Sequence, residues 1–411
     1  GTLTIRANNS LGNGNIAIDG GTLYMYGASQ NAGAVTVTNG GSITVYDNGA
    51  VRTINASSFV INSDTATVIK PVLADLNGST HATLTKSGTG TLTLWGNNTY
   101  SGSTTINGGT LQIGYASTAG SIASASAISI ASGATLAYNL SSYTDYAAGP
   151  PVVNQTRPLN TISGTGTIAN AYTTGASATN VILDLSGADL SGFSGTYSTY
   201  INEATATPAR ASIKLGTSPN LTGATFNVVT SGYKPAFANL TGVTWTGAAT
   251  GTPSLKANGI AMTSGVMGLG VTLTLNASDL TLGQGGAWSL TGNVNGTTGT
   301  MYLPESNTAA YTLSGTVTAD VLNGLTITQS GALTQSSAGG ATNGDLVVNG
   351  NGGTLILSAN NSYAGTTTIN SGTLQVGTDA GNAGTLGAGA VYNNANLNFF
   401  RSNGYNLSDL A

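Results

Sequence analysis

Side chains able to do chemistry are scarce in this 411-residue chain. The densest acidic group is Asp184, Asp189 and Glu203, with Arg210 and Lys214 a little further along. Two or three carboxylates beside a cation, on neighbouring rungs of a β structure, are what a polysaccharide hydrolase or lyase needs, because one group must protonate a leaving oxygen while another acts as base or nucleophile. The alternative is that these are ordinary surface charges in a loop-rich segment. His81 is the single histidine and cysteine is absent, so an ordinary zinc site cannot be assembled. A serine triad would have to use His81, whose nearest carboxylate along the chain is Asp75, yet no G-x-S-x-G phrase accompanies it. The expected role of His81 is a polar surface or turn residue.

The phrase GGATNGD, Gly339 to Asp345, has one residue too many for the calcium-binding nonapeptide and occurs once, so tandem calcium rolls are not expected, and a single incidental ion stays open. No catalytic residue, metal ligand or cofactor is assigned from the sequence. Tyr100 and Tyr363 stand at matching places in NNTYSG and NNSYAG. They are candidate surface ligand contacts, since exposed rings can stack on sugars. The competing reading has each tyrosine covering the apolar edge of its own corner.

The elements that must position these residues are strands. Only 24 residues are charged, the net charge is −4, Gly numbers 60, and 40% of the chain is hydrophobic. That hydrophobic share separates the chain from disordered low-complexity sequences, which cannot bury enough apolar surface to offset the entropy of ordering. Leu, Ile and Val alternate with Thr and Ser, the period of half-buried strands. Ten scattered basic residues give no electrostatic footprint for nucleic acid. The most apolar stretch, Gly259 to Leu275, is too interrupted by Gly, Ser and Thr to span a membrane. The sequence opens at Gly1 without a secretion signal, and processing or excision from a longer chain is expected.

The dominant feature is a repeat. Gly90 to Gly114 aligns without gaps on Gly353 to Gly377, with 17 of 25 positions identical. In GTLTLWG, Leu92 and Leu94 share one face and Thr91, Thr93 and Trp95 the other. Such short strands, broken at GG, NG or NN, cannot form a core alone and need a neighbour above and below. Gly and Asn suit the left-handed backbone of a tight corner. The pattern predicts an all-β solenoid, a parallel β-helix. Its expected inward core is Leu92, Leu94, Ile106, Leu111 and Ile113, mapping onto Leu355, Leu357, Ile369, Leu374 and Val376.

The phrase GTGTLTLWGNNTYSGSTTINGGTLQIG, residues 88 to 114, resembles the autotransporter-associated β-strand repeat, also called the passenger-associated transport repeat. A second occurrence ends in GTLQVG at Gly377, and ISGTGTI at Ile162 to Ile168 resembles the phrase that often precedes such a repeat. The resemblance implies a right-handed β-helix on a secreted or surface-displayed bacterial protein, and no particular activity. A full autotransporter also carries a membrane barrel, which these residues do not contain.

The expected organisation is a β-helix segment at 1–139 with the first full repeat at 88–114, and a Pro-rich loop excursion at 140–158. A less regular β-helix segment follows at 159–282, then a β-helix segment at 283–411 with the second full repeat at 351–377. The leading functional expectation is a non-enzymatic, extracellular structural or adhesive protein, with partners that are copies of itself, stacked head to tail as a filament, or cell-surface and matrix components. Its rivals are a carbohydrate-active β-helix using Asp184, Asp189 and Glu203, and a toxin or adhesin passenger binding a surface receptor.

Overall fold

The computed structural model describes residues 1–402 apart from 28, 47–49, 79, 118–119, 124–125, 141–151, 157–160, 172–179, 203–208, 231–239, 266–270, 323, 336–342 and 379–382. Regular structure among the described residues is all β, save one short 3-10 turn at Leu76–Gly78. The chain forms two compact units. The first holds Gly1–Ser231, Thr241–Met262 and Leu275–Thr281, and the second Gly232–Leu240, Thr263–Thr274 and Leu282–Ala411.

In the first unit the chain visits its sheets in rotation, so each turn lays its strands parallel on those of the turn before. One stack runs through Thr22–Met25, Ser42–Val45, Thr67–Ile69, Thr91–Leu94, Thr110–Ser117 and Thr135–Leu140. A second runs through Ile16–Asp19, Ala34–Thr38, Ser58–Asn62, Thr83–Ser87, Thr104–Ile106 and Ile128–Ile130. A third, shorter stack joins Gln30–Asn31, Thr53–Ala56 and Val72–Asp75. These long parallel sheets are consistent with a β-solenoid.

Alternation places the aliphatics on the inner face, and the parallel register turns them into ladders. Leu92, Leu111, Leu136 and Ile168 follow one another in adjacent strands, all with 0% exposure. A second ladder reads Ile18, Val37, Ile61, Lys86, Ile106, Ile130. Lys86 breaks the apolar series yet is fully buried. Its ammonium donates to the carbonyls of Ser87 at 2.7 Å, Gly88 at 2.9 Å and Gly108 at 3.2 Å, which uses all three of its donors.

In the second unit Tyr311–Val321 pairs in parallel with Asp345–Leu357, which pairs with Thr367–Val376, followed by Val391–Asn393 and Asn396–Phe399. Its ladders include Ile327, Leu355, Leu374 and Leu397. The other edge of Tyr311–Val321 is covered by an antiparallel hairpin, Trp288–Val294 with Thr297–Leu303.

That hairpin corrects one expectation. Not every Asn-Gly break is a solenoid corner. Asn295 and Gly296, with φ of 53° and 78°, join two antiparallel strands, and Asn258 and Gly259, with φ of 49° and 80°, join Ser254–Ala257 to Ile260–Met262 in the same way. Two successive left-handed residues form the tight turn whose twist matches an antiparallel pair. Within the segment expected as a Pro-rich loop, Val152–Thr156 is a strand paired in parallel with Asn180–Asp184. Pro150, Pro151 and Pro158 lie outside the described residues.

Candidate functional site

The ten expected core residues of the repeat, Leu92, Leu94, Ile106, Leu111, Ile113 and their counterparts Leu355, Leu357, Ile369, Leu374 and Val376, are all at 0% exposure. The polar residues between them build a corner, and they build it twice. The side-chain oxygen of Asn98 accepts the Leu73 amide of the preceding turn at 2.9 Å. Its amide donates to Gly96 at 2.9 Å in its own turn and to Ser121 at 2.8 Å in the next. Asn361 accepts from Leu333 at 2.7 Å and donates to Ala359 at 3.2 Å and Thr385 at 2.6 Å. One buried side chain therefore ties three successive turns together. The neighbours repeat as well, since Asn97 accepts the Gly120 amide at 3.0 Å and Asn360 that of Gly384 at 3.1 Å.

Gly120 and Gly384 cannot be replaced by larger residues without movement. A Cβ on Gly120 would stand 2.7 Å from the Gly114 nitrogen, and one on Gly384 2.5 Å from the Gly377 nitrogen, at φ of 122° and 101°, where side chains are strained.

Tyr100 and Tyr363 are corrected as surface contacts. Both are at 0% exposure, and their hydroxyls lie 2.7 Å from the hydroxyls of Thr104 and Thr367. Burial pushes the Tyr100 phenol up. A ring with no exposed face cannot stack on a sugar, so each tyrosine fills its own corner.

Residues 84–113 and 346–376 match the passenger-associated transport repeat. The chain carries two such repeats. The match begins six or seven residues before the alignment read from sequence and takes in Leu84 and Leu346, both buried. Transport repeats accompany autotransporter passengers, which implies secretion or surface display. No curated protein and no solved structure matches the chain.

Beside the first transport repeat the fold gathers a serine, a histidine and an aspartate. Ser101 donates its hydroxyl to Asp75 at 2.6 Å, and the His81 Nδ1 lies 2.6 Å from the same Ser101 oxygen. The order is Asp, Ser, His, with the serine proton held by the carboxylate; a hydrolytic triad needs the imidazole in the middle, facing the serine as base. Asp75 also accepts the backbone amides of Ser101 at 2.9 Å and Ala82 at 2.8 Å. Burial pushes its carboxyl up, but the Ser101, Ala82 and His81 interactions outweigh burial and leave it lowered. At the second transport repeat Gln335 accepts the Ala364 amide at 3.1 Å, so an acceptor for this corner amide recurs where no serine or histidine stands.

The structure describes two members of the acidic group. Asp184 ends a strand of one sheet and Asp189 begins a strand of another, while Glu203 lies outside the described residues, as do the side-chain surroundings of Arg210. Asp184, 4% exposed, pairs with Lys214 at 2.9 Å and accepts the Ser186 amide and hydroxyl. Burial pushes it up, and the Ser186 and Lys214 bonds more than offset this, so its carboxyl is held below the usual range. Asp189 is exposed and accepts the Ser191 amide at 3.0 Å. Of GGATNGD, residues 339–342 lie outside the described residues, and Asp345 is bonded to the Thr366 amide and hydroxyl. Among the described residues no three His, Asp or Glu side chains are grouped to hold a metal ion.

A different surface has the features of a binding site. One residue beyond the end of Thr2–Ile5, which pairs in parallel with Thr22–Met25, and of successive strands in the first stack stand Arg6, Tyr26, Tyr46, Lys70 and Trp95, with Tyr115 one turn further. Arg6 lies over the Tyr26 ring at 4.5 Å, and Tyr26 stacks on Tyr46 at 4.5 Å. Lys70 lies over Trp95 at 4.3 Å, and Trp95 stacks on Tyr115 at 5.2 Å. Tyr26, Tyr46 and Tyr115 are exposed, the last at 59%. Beside Lys70 and Trp95 a cleft of about 500 Å³ is walled by Val45, Val51, Pro71, Thr53, Asn97 and Thr99. The sequence signal was legible in hindsight: TLTIR, TLYMY, SITVY, TVIK and TLTLW each end in a ring or a cation directly after the last inward aliphatic.

Proposed function

We propose that the chain is a non-enzymatic structural or adhesive passenger, secreted or displayed on a bacterial surface and coiled as a right-handed β-helix. The observation that carries this reading is that both transport repeats build one and the same corner, Asn98 and Asn361 each tying three turns. A coil that ties every turn to its neighbours is suited to holding a rigid surface at a distance from its anchor. The non-enzymatic part draws support from Asp184, whose charge is committed to Lys214. Proposed partners are extracellular or cell-surface components and other copies of the chain.

External protease applied to intact cells of the native bacterium tests display. Loss of the chain from intact cells, or its recovery from the medium, is expected. Full protection, with the chain recovered only from the cytoplasm, overturns the proposal.

A further inference from the structure

The Lys70–Trp95 cleft and its ring-and-cation corner are not demanded by the fold. In the second unit Ser330 and Ser358 occupy the positions equivalent to Lys70 and Trp95: Ser358 donates its amide to Gln329, as Trp95 does to Ile69, and Gln329 aligns with Leu357 as Ile69 does with Leu94. The transport repeat folds there with two small hydroxyls at this place. Aromatic rings and cations at the first copy therefore answer to something other than folding.

Among the described residues three polar groups of this corner have no hydrogen-bond or ion-pair partner. Among the described residues neither Arg6 nor Lys70 makes an ion pair, the one salt bridge being Lys214 with Asp184. Each cation rests instead on a ring face, an attraction of about 0.5–1 kcal/mol at exposed sites that leaves its hydrogen-bond donors open. The third group is the Trp95 Nε1, a buried donor without an acceptor. The other two tryptophans are satisfied, Trp245 by Ala277 and Trp288 by Pro304.

The walls define what would fit. Val45, Val51 and Pro71 offer apolar contact, Thr53, Asn97 and Thr99 offer neutral hydrogen-bonding groups, and Lys70 offers a cation, while the Arg52 guanidinium in the same wall is bonded to the carbonyls of Ala50 and Tyr26. About 500 Å³ lies within the range of small-ligand clefts, roughly 300–1,000 Å³. A pyranose has an apolar face and a rim of hydroxyls, and a carboxylated pyranose adds the anion that Lys70 lacks. A peptide adding itself as a strand has no edge here, because Thr67–Ile69 and Thr91–Leu94 are paired on both sides. We propose that the Lys70–Trp95 cleft binds an acidic polysaccharide, one carboxylated sugar entering the cleft with its charge on Lys70 while the chain runs along the exposed rings toward Tyr115. This deepens the adhesive reading above and rests on it.

The whole chain titrated with polygalacturonate and with hyaluronan, followed by tryptophan fluorescence and calorimetry, tests this. Saturable binding is expected, with a change in Trp95 emission as the ammonium leaves the ring. Methyl-esterified polygalacturonate and dextran should bind at least about tenfold more weakly, as should Lys70→Gln and Tyr115→Ser with the carboxylated probes. Both variants sit at the surface, and an unchanged melting curve certifies their folding. Equal binding of poly-L-glutamate, undiminished binding by the two folded variants, or no binding of either carboxylated probe overturns the inference. Protease accessibility of the same variants on intact cells separates the two failures: a displayed chain that ignores both probes loses only this inference, whereas a chain that is never displayed loses the adhesive reading too.

Discussion

Asn98 and Asn361, 263 positions apart, hold the same place in two separate stacks of strands and make the same bonds to the turn before, their own turn and the turn after. Both are buried, at 3% and 7% exposure. Such a buried amide is hard to replace, because truncation strands the Leu73 or Leu333 amide in a dry setting, although the Gly96, Ser121 and Ala359 carbonyls keep a backbone donor.

Asn98→Ala and Asn361→Ala are each expected to destabilise their own unit by about 1–3 kcal/mol, the order of cost for leaving a buried backbone amide unpaired. Hydrogen exchange resolves the effect locally. Leu73 and Leu333 amides should lose protection in the respective variant while the other unit keeps its own, and unchanged protection at both would refute the clamp.

Truncating the ladder should cost more than removing a surface charge. Leu111→Ala or Leu374→Ala is expected to destabilise by about 2–5 kcal/mol, since each leaves a cavity between stacked aliphatics. Asp189→Asn should leave the denaturation midpoint where it is, its carboxylate being exposed and bonded only within its own turn. Comparable shifts from both would mark Asp189 as part of a structured site.

Lys86 separates stem from charge. Lys86→Met keeps most of the buried stem and strips three carbonyls of their donor, a cost of about 1–3 kcal/mol. Lys86→Ala adds the cavity and should cost more. Burial lowers the Lys86 pKa, with Asp64 partly opposing, so the penalty of the buried charge is complete below the lowered value. It is relieved as pH rises from there toward 10.5, the ordinary value. The stability gap between the parent chain and Lys86→Met should therefore change over that alkaline window, and a gap independent of pH would count against a buried ammonium.

Acid should act through Asp184. Its carboxyl is lowered in the folded chain, so the stability it contributes is present above 3.8, the ordinary value, and is lost as pH falls through the lowered value. Acid unfolding of Asp184→Asn is expected to lack this component, and Lys214→Met should reduce it. Identical acid midpoints in all three chains would show that the pair carries no pH-dependent stability.

The sequence by itself determined the β character of the described residues, the inward-facing aliphatics of the two transport repeats, and that one phrase occurs twice. A period of two in GTLTLWG and GTLILSA is local information, since neighbouring side chains point to opposite faces whatever else the chain does. It could not say that Tyr100 points inward, because corner residues have no period. It could not tell the Asn-Gly of a solenoid corner, at Asn39 and Gly40, from that of a hairpin, at Asn295 and Gly296; all four have positive φ, and only the direction of the next strand separates the two uses. Asn98 meets Leu73 and Ser121 across 25 and 23 residues, and Lys70 meets Trp95 one turn on. Those distances in sequence are set by the length of each turn, and stacking alone brought the rings, the cations and the three-turn clamps into register.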